Sequence, residues 1–297
     1  MDNEPNWSWY RTFLTVLETG SLSAAGRAMG LTQPTVGRHI DSLETALALK
    51  LFIRSFDGYA PTDAARELQP YAASVASTTA ALRRVASSHG TSIRGTVRVS
   101  ASEVIGVEVL PPMLAALHGA HPALTIELVL ANSVDDLLQR EADIAVRMFR
   151  PLQDALVATR VGGVEVGLHA HRRYLAARGV PASLDALAQH ALISFDRDNA
   201  FTRKMRDQLP VFPPGSVAFR SDSDLAQLAA IRAGLGIGIC QSALAAKDEA
   251  LVRLLPAQWS LTMETWIAMH EDLRASPRCA VTYSALVAGL TTYIGGA

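Results

Sequence analysis

Features that would point directly to a function are scarce in this sequence of 297 residues. It has two cysteines, Cys240 and Cys279, which form neither a metal-ligand spacing nor a C-x-x-C motif. We therefore predict no metal site and no cofactor, and we expect a reducing compartment in which both cysteines remain thiols. Cys240 lies in an apolar run and is interpreted as a small buried hydrophobe, with a peroxide-sensing pair as the alternative.

Long apolar runs and an excess of one charge are also missing. No stretch of 18 apolar residues occurs, so no membrane span is predicted. The opening M-D-N-E-P-N is polar and acidic, unlike a secretory leader, and a cytoplasmic location is expected. Lys and Arg number 27 against 28 Asp and Glu, a formal net charge of −1. Nucleic-acid binding would therefore depend on a few placed contacts instead of a broad basic field.

Catalytic signatures are equally scarce. The eight histidines are scattered, His169 and His171 are the closest pair, and neither H-E-x-x-H nor G-x-S-x-G occurs. The run Gly234-x-Gly236-x-Gly238 lacks the G-x-G-x-x-G spacing of phosphate-binding loops, and we interpret it as structural. We predict no catalytic residue and no enzyme activity; an enzyme built on an α/β scaffold is the alternative.

The most informative segment that is present runs from residue 21 to residue 54 and predicts two short helices joined by a tight turn. Gly30 can end the first helix in the left-handed conformation. Thr32 can cap the second helix, and Pro34 falls in its first turn, where a missing N–H costs no hydrogen bond. The predicted apolar faces are Leu22, Ala25 and Met29 on the first helix, and Val36, Ile40, Leu43 and Leu47 on the second.

The opposite face of the second helix has side chains suited to a DNA major groove. It consists of Thr32, Gln33, Thr35, Arg38, His39 and Ser42. Gln can pair with adenine, Arg with guanine, and hydroxyls with bases or phosphates. From the pattern alone, the solvated face of an ordinary helical hairpin is the alternative.

The same segment carries a family resemblance. The run A-A-x-x-A-M-G-L-T-Q-P-T-V-x-R-H-I-x-x-L-E-x-x-L-x-x-x-L-F-x-R, which begins at Ala24, resembles the N-terminal signature of LysR-type transcriptional regulators. Three positions depart from that signature: Gly37 replaces the usual Ser, Ala48 the usual Gly, and Pro61 a common Leu. The first departure removes a hydroxyl that could contact DNA.

The resemblance, together with strands alternating with helices after residue 95, implies an α/β protein overall with an N-terminal all-α winged helix-turn-helix domain. A long linker helix and an effector domain like the periplasmic binding proteins, with two α/β subdomains and a mainly parallel sheet, would follow. The expected boundaries are 1–62 for the DNA-binding domain (helix-turn-helix about 22–41), 63–91 for the linker and dimerisation helix and hinge, 92–161 plus 267–297 for subdomain I, and 162–266 for subdomain II.

The resemblance also implies a set of DNA contacts. In the family, the segment that corresponds to 54–62 is a wing, and we expect a hairpin here with Asp57-Gly58 as its turn. Arg54 is the candidate phosphate contact, with an arginine that caps helix carbonyls as the alternative. The predicted DNA-binding residues are Thr32, Gln33, Pro34, Thr35, Arg38, Arg54 and Thr62.

Strand-to-helix junctions in the second half suggest where a ligand sits. Ligands of open α/β sheets bind beyond the carboxyl ends of strands, where free helix N–H groups suit an anion. Arg147 follows a predicted strand and could hold a carboxylate, or pair with Glu141 or Asp143. Serines that merely cap helices are the alternative. The predicted effector-binding residues are Ser102, Asn132, Ser133, Arg147, Phe149, Phe195, Ser221 and Asp222.

These expectations combine into a ligand-responsive transcriptional regulator. Its expected partners are double-stranded operator DNA, a small organic anion as effector, and RNA polymerase; it would act as a homodimer or a dimer of dimers. A solute-binding protein is a further alternative, disfavoured by the helix-turn-helix and by the absence of a leader-like start.

Overall fold

The computed structural model of the chain describes residues 5–55, 58–86, 93–131, 142–151, 156–197, 202–203 and 215–295. It divides into two compact units, which hold the described residues up to 86 and from 93 onward. The elements of the N-terminal unit are α1 (Trp7–Thr19), α2 (Leu22–Met29), α3 (Gln33–Leu47), β1 (Phe52–Ser55), β2 (Gly58–Pro61) and α4 (Asp63–Ala86).

The predicted pair of short helices is present as α2 and α3, with the predicted end signals. Gly30 follows α2 in the left-handed conformation, at φ 67°. Thr32 caps α3, since its hydroxyl accepts from the backbone N–H of Thr35 at 3.4 Å. Val36 and Ile40 on α3 pack in one buried cluster with the aromatic ring of Phe13 from α1. Helix periodicity and capping therefore located these helices correctly.

A buried carboxylate joins the end of α3 to the first strand. Glu44 Oε1 accepts from the backbone N–H groups of Leu51 at 2.8 Å and Phe52 at 3.3 Å, and its other oxygen accepts from Lys50. Burial favours the protonated form of Glu44, but these hydrogen bonds outweigh it and lower its pKa. The charged side chain thus holds the turn between α3 and β1.

The hairpin after α3 is present, although its turn differs from the prediction. Gly58 is not a turn residue; it opens β2 and pairs with Ser55, and Asp57 lies outside the described residues. The N–H of Tyr59 donates to the carbonyl of Gly20 at 3.0 Å. A Cβ on Gly58 would lie 2.7 Å from that same oxygen, so glycine is required here for close packing against the α1–α2 connection.

The described part of the C-terminal unit contains nine strands and five α-helices, together with one π-helix and two 3₁₀ turns. Its strands are β3 (Gly95–Ala101), β4 (Leu124–Leu130), β5 (Ile144–Arg147), β6 (Leu156–His171), β7 (Leu192–Ser194), β8 (Val217–Arg220), β9 (Gly238–Gln241), β10 (Leu251–Leu254) and β11 (Leu261–His270). Its helices are a π-helix (Ile105–Val109), α5 (Leu110–Ala120), α6 (Arg172–Arg178), α7 (Asp224–Arg232), α8 (Ser242–Ala245) and α9 (Pro277–Gly295), with 3₁₀ turns at Asp185–Gln189 and Glu271–Leu273.

The main sheet is mixed, which corrects the expectation of a mainly parallel one. Its order is β10-β6-β11-β5-β3-β4, with β9 also paired to β6. Strands β4, β3 and β5 are parallel, whereas β11 runs antiparallel to both β5 and β6. A second, two-stranded parallel sheet joins β7 and β8. Alternation of strands and helices correctly predicted the parallel pairs, but it could not show that β11 returns between β5 and β6.

Strand β6 does not respect the expected subdomain boundary. That boundary falls between residues 161 and 162, but the strand is continuous over 16 residues. Gly162 adopts φ 142° within it, and the pairing with β11 shifts register between Thr265 and Trp266. A single strand therefore crosses the expected boundary between the two subdomains.

Some predicted features lie outside the described residues. They include the hinge at the end of the 63–91 segment, and Asn132 and Ser133 among the predicted ligand contacts. Among the helices that the structure does describe, none is long and apolar enough to cross a membrane.

Candidate functional site

The outer face of α3 brings together five of the predicted DNA-binding residues. Thr32, Gln33, Pro34 and Arg38 are exposed, and Thr35 is half-buried. They surround the N-terminal half of the helix, opposite its buried apolar face. This arrangement gives donors, acceptors and one positive charge on a single accessible surface.

A contact from α2 holds one of these side chains. The hydroxyl of Ser23 donates to Gln33 Oε1 at 2.9 Å, and the hydroxyls of Thr32 and Thr35 lie 2.9 Å apart. With its carbonyl oxygen engaged by Ser23, the Gln33 amide group is restrained in orientation. Sequence reasoning missed Ser23, although its place in the first helical turn of α2 was visible.

His39 does not belong to the outer face, contrary to the prediction. Its Nδ1 lies 2.9 Å from the hydroxyl of Thr12 on α1. Since that hydroxyl also donates to the carbonyl of Ser8 at 2.9 Å, the imidazole N–H is the donor to Thr12. Burial, together with the neighbouring charge of Arg38, lowers the pKa of His39. The ring therefore ties α3 to α1 as a neutral group.

Two glycines of this region have opposite environments. A Cβ on Gly26 would lie 2.8 Å from the carbonyl oxygen of Leu31, so the close approach of the turn to α2 requires glycine. A Cβ on Gly37 would meet only Leu22 Cδ1, at an ordinary 3.6 Å. The departure from the family signature at Gly37 is therefore not dictated by packing.

The structure says less about the other two predicted DNA contacts, Arg54 and Thr62. Arg54 lies in β1, but its side chain is outside the described part of the structure. The hydroxyl of Thr62 donates to the carbonyl of Lys50 at 2.8 Å and accepts from the N–H of Ala65 at 3.1 Å, so it caps α4. Thr62 thus has a structural task, and DNA contact by either residue stays a prediction.

The predicted ligand site lies at the carboxyl ends of β3 and β5. These strands are adjacent and parallel, with Ala101 opposite Val146. Arg147 is only 2% exposed; its guanidinium donates to Ser100 Oγ at 2.8 Å and to the Val146 carbonyl at 3.0 Å. Ser102 directly follows β3 and is half-buried. The structure thus brings Ser102 and Arg147 to neighbouring strand ends.

Of the other predicted ligand contacts outside the α7 region, the structure describes the two phenylalanines but not Asn132 or Ser133. Phe149 is 38% exposed, and Phe195 is half-buried after β7. Asn132 and Ser133 lie outside the described residues. That the two aromatic rings form walls of the site stays a prediction.

The cluster before α7 is largely engaged by its own chain. Asp222 Oδ1 accepts from the backbone N–H groups of Asp196 and Arg197, and its other oxygen lies 3.1 Å from Arg197 Nε. Ser221 Oγ accepts from the N–H of Ser223 at 3.2 Å. These contacts show a structural role for both residues, which for Ser221 is the alternative recognised from the sequence.

A carboxylate that sequence reasoning missed occupies the N-terminus of α7. Ser223 Oγ donates to Glu103 Oε2 at 2.7 Å, and the N–H of Leu225 points to the same oxygen at 3.4 Å. Because a helix N-terminus favours negative charge, Glu103 already takes the position expected for an anionic ligand. The expectation of an anion at this junction therefore needs correction.

A second carboxylate holds the other end of α7. Glu108 accepts from both Nη atoms of Arg232, at 2.7 and 2.9 Å, and the hydrogen bond from Arg232 lowers the Glu108 pKa although burial opposes it. Glu108 lies in the π-helix, whose hydrogen bonds run between residues five apart. Glu103 precedes this π-helix, so two carboxylates of one short segment contact the two ends of α7.

The environment of the two cysteines agrees with the interpretation of Cys240 as a buried hydrophobe. Both are buried, and burial raises the pKa of Cys240 to about 12. Such a thiol is a weak nucleophile at neutral pH. Within the described ranges, no group of three His, Cys, Asp or Glu side chains is placed to hold a metal ion.

Two family models match the chain. Residues 7–66 match "Bacterial regulatory helix-turn-helix protein, lysR family", and residues 90–290 match "LysR substrate binding domain". Together these ranges contain α1–α3, the hairpin and nearly all of the C-terminal unit.

Curated relatives agree with these matches. An HTH-type transcriptional regulator of Xanthomonas campestris is 26% identical over 186 residues, which cover 63% of this chain and 54% of the relative. The transcriptional activator AaeR of Escherichia coli is 24% identical over 191 residues, covering 64% of this chain and 62% of that protein. The chain thus spans little more than half the length of these relatives.

Solved structures share the fold at low identity. CbnR, a LysR family regulator, has a TM-score of 0.69 at 17% identity, covering 97% of this chain and 99% of that one. Full-length AphB of Vibrio cholerae has a TM-score of 0.62 at 22% identity, covering 96% and 99%. CbnR has also been solved with its target DNA, and that chain gives a TM-score of 0.67 at 17% identity, covering 96% and 99%.

Proposed function

Since the chain belongs to the LysR family of transcriptional regulators, we propose that it binds a two-fold DNA operator through the exposed face of α3 and responds to a small anionic effector. The family and the relatives found are transcriptional regulators and not enzymes. The observation that carries the DNA part of the proposal is the cluster of exposed Thr32, Gln33 and Arg38 with half-buried Thr35, opposite an apolar face on which Val36, Ile40 and Leu43 are buried.

The proposed chemistry of recognition follows from these side chains. Arg38 presents a guanidinium that pairs with the O6 and N7 of guanine, and Gln33 presents an amide oriented by Ser23. Thr32 and Thr35 at the helix N-terminus would contact phosphate or base oxygens. Arg54 and Thr62 on the wing are proposed as phosphate contacts.

The proposed division of the chain into functional segments follows the boundaries predicted from the sequence. Residues 1–62 would bind DNA, 63–91 would pair two copies, and the effector would lie between subdomains of 92–161 plus 267–297 and of 162–266. Two or four copies would place paired α3 helices about 34 Å apart, or at a multiple of that distance, along a two-fold operator. RNA polymerase is the proposed further partner.

Arg38→Ala is expected to weaken specific operator binding by about 10- to 100-fold, because one good base contact contributes about 1–3 kcal/mol. The measurement is a gel shift of the full-length protein on DNA immediately upstream of its own reading frame, at two salt concentrations and with competitor DNA. Arg178→Ala, an exposed arginine on α6, is the matched control and should bind like the wild type. Equal affinity of all three proteins would rule out the proposed role of Arg38.

For the effector, we propose that an organic anion binds at the ends of β3 and β5, near Ser102 and Arg147. The two carboxylates close to the N-terminus of α7, Glu103 and Asp222, would repel an anion there. The guanidinium of Arg147, which donates to Ser100 Oγ, is the positive charge at these strand ends. The anionic group would therefore lie at the carboxyl ends of β3 and β5, away from the N-terminus of α7.

Ser102→Ala is expected to weaken binding of such an effector about tenfold, because a hydrogen bond to a charged group contributes about 1.5–3 kcal/mol. Organic acids that raise the melting temperature of the wild type identify the ligand, and calorimetric titration of both proteins with that ligand gives the affinities. The amide of the same ligand serves as the uncharged control. A ligand that binds equally well as its amide, or equally well to Ser102→Ala, would contradict the anionic assignment.

A further inference from the structure

An open cavity of about 620 Å³ lies elsewhere on the C-terminal unit. It is formed by β6, β10, the α8 region and the last turn of α9, and it shares no lining residue with the strand-end site. Val164, Leu251 and Ile294 supply apolar walls, while Lys247 lies at the rim. The volume is within the range of small-molecule binding sites.

Three polar side chains converge over one glycine at the edge of this cavity. Glu165, Gly167 and His169 share one face of β6, because side chains alternate along a strand. A Cβ on Gly167 would lie 3.2 Å from Arg253 Nε, 3.4 Å from Ser242 Oγ and 3.4 Å from His169 Cε1. Glycine at this position therefore leaves space that polar groups surround.

One of these groups has an unused donor. The two Nη atoms of Arg253 donate to Glu165, which also accepts from the hydroxyl of Ser260 at 2.9 Å. Arg253 Nε is buried and has no hydrogen-bond partner among the described residues. A buried N–H of this kind ordinarily has an acceptor. The ion pair thus fixes the guanidinium and leaves its Nε–H for another group.

The charges around the cavity are unequal. Lys247 and Arg253 are positive and Glu165 is negative, which gives a net charge of +1. The Lys247 ammonium lies 5.1 Å from the ring centre of Tyr293. His169 contributes no charge at neutral pH: burial lowers its pKa, and its Nδ1 lies 2.9 Å from the Gly167 carbonyl.

We propose that this cavity binds a small monocarboxylate with an apolar body. The carboxylate accepts from Arg253 Nε–H and the Ser242 hydroxyl, and the apolar body packs on Val164, Leu251 and Ile294. One negative charge matches the net charge of the site, whereas a dianion would leave a charge uncompensated in a partly desolvated cavity. The site is independent of the effector proposed at the strand ends.

The test is calorimetric titration of the full-length protein with sodium hexanoate, using hexanamide as the uncharged probe. Hexanoate is expected to bind the wild type at least ten times more tightly than hexanamide. Gly167→Ala, which places a methyl group among the three polar side chains without removing a charge, is expected to weaken hexanoate binding at least tenfold. Lys247→Gln, at the exposed rim, should weaken it severalfold and reduce its dependence on salt.

Three results would overturn the assignment. They are no binding of hexanoate to the wild type, equal binding of hexanoate and hexanamide, and unchanged affinity in Gly167→Ala with the fold verified by its melting temperature. A fourth result would do the same: if Ser102→Ala removes binding while Gly167→Ala retains it, hexanoate occupies the strand-end site and the cavity assignment is wrong. That last result would leave the proposed function intact.

Discussion

Gly236→Ala is expected to destabilise the C-terminal unit by about 3 kcal/mol or more, the upper range for overpacking a rigid core. A Cβ at this position would lie 2.2 Å from the carbonyl oxygen and 2.9 Å from the carbonyl carbon of Ala191. Both are backbone atoms, and Ala191 is held by the N–H of Ile237, which donates to that oxygen at 2.8 Å. The clash cannot be relieved by a rotamer change.

Urea unfolding followed by circular dichroism measures this effect. Gly119→Ala is the matched control, since a Cβ there meets nothing within 4 Å and the residue lies inside α5. That substitution should stabilise by about 0.5–1 kcal/mol, the helix-propensity difference between the two residues. If Gly236→Ala is as stable as the wild type, close packing is not the reason for this glycine, and the structural interpretation of the run is wrong.

Glu44→Ala is expected to destabilise the N-terminal unit by about 2–4 kcal/mol, because two backbone N–H groups lose their shared acceptor. Both Leu51 and Phe52, whose amides are affected, are buried. Glu44→Gln keeps an oxygen at this position and loses only the charge, so its effect should be about half as large. Hydrogen exchange of the Leu51 and Phe52 amides reports on this site directly.

The same carboxylate predicts a pH dependence with a definite sign. The folded-state pKa of Glu44 is lowered, so its contribution to stability is fully present above its unfolded-state pKa of 4.5 and is lost as pH falls through the folded value. The wild type should therefore lose stability below about pH 4.5, and Glu44→Gln should lose less over that interval. Parallel pH profiles for the two proteins would contradict the assignment.

Local sequence signals were sufficient to predict helices α2 and α3 of the N-terminal unit. The end of α2 at Gly30, the cap of α3 at Thr32 and its buried face all follow from contacts between residues a few positions apart. His39 and Thr62 differ because their partners are more distant in sequence: Thr12 lies on α1, and Lys50 lies between α3 and β1. A polar side chain in a helical pattern does not reveal whether it turns outward or finds a partner on the next helix.

The structure of the C-terminal unit depends more on contacts between residues that are distant in sequence. Its strands were mostly located by alternation, but the continuity of β6 and the return of β11 beside β5 involve pairings between residues about 100 positions apart. Glu103 and Glu108 reach α7 across 120 to 124 residues. No local pattern marks such carboxylates as partners of a helix rather than as solvated charges.

The sequence by itself determined the family, the helix-turn-helix with its caps, and the polar residues that α3 exposes, because helix formation and capping are decided within one or two turns of chain. Only the tertiary structure decided that Gly236 must lack a side chain, that Glu103 takes the N-terminus of α7, and that Arg253 Nε lies near Gly167 with no hydrogen-bond partner in the described part of the chain. Those features arise where segments remote in sequence pack within a few ångströms. Close packing and buried hydrogen bonds depend on both of the segments in contact, so neither segment alone reveals them.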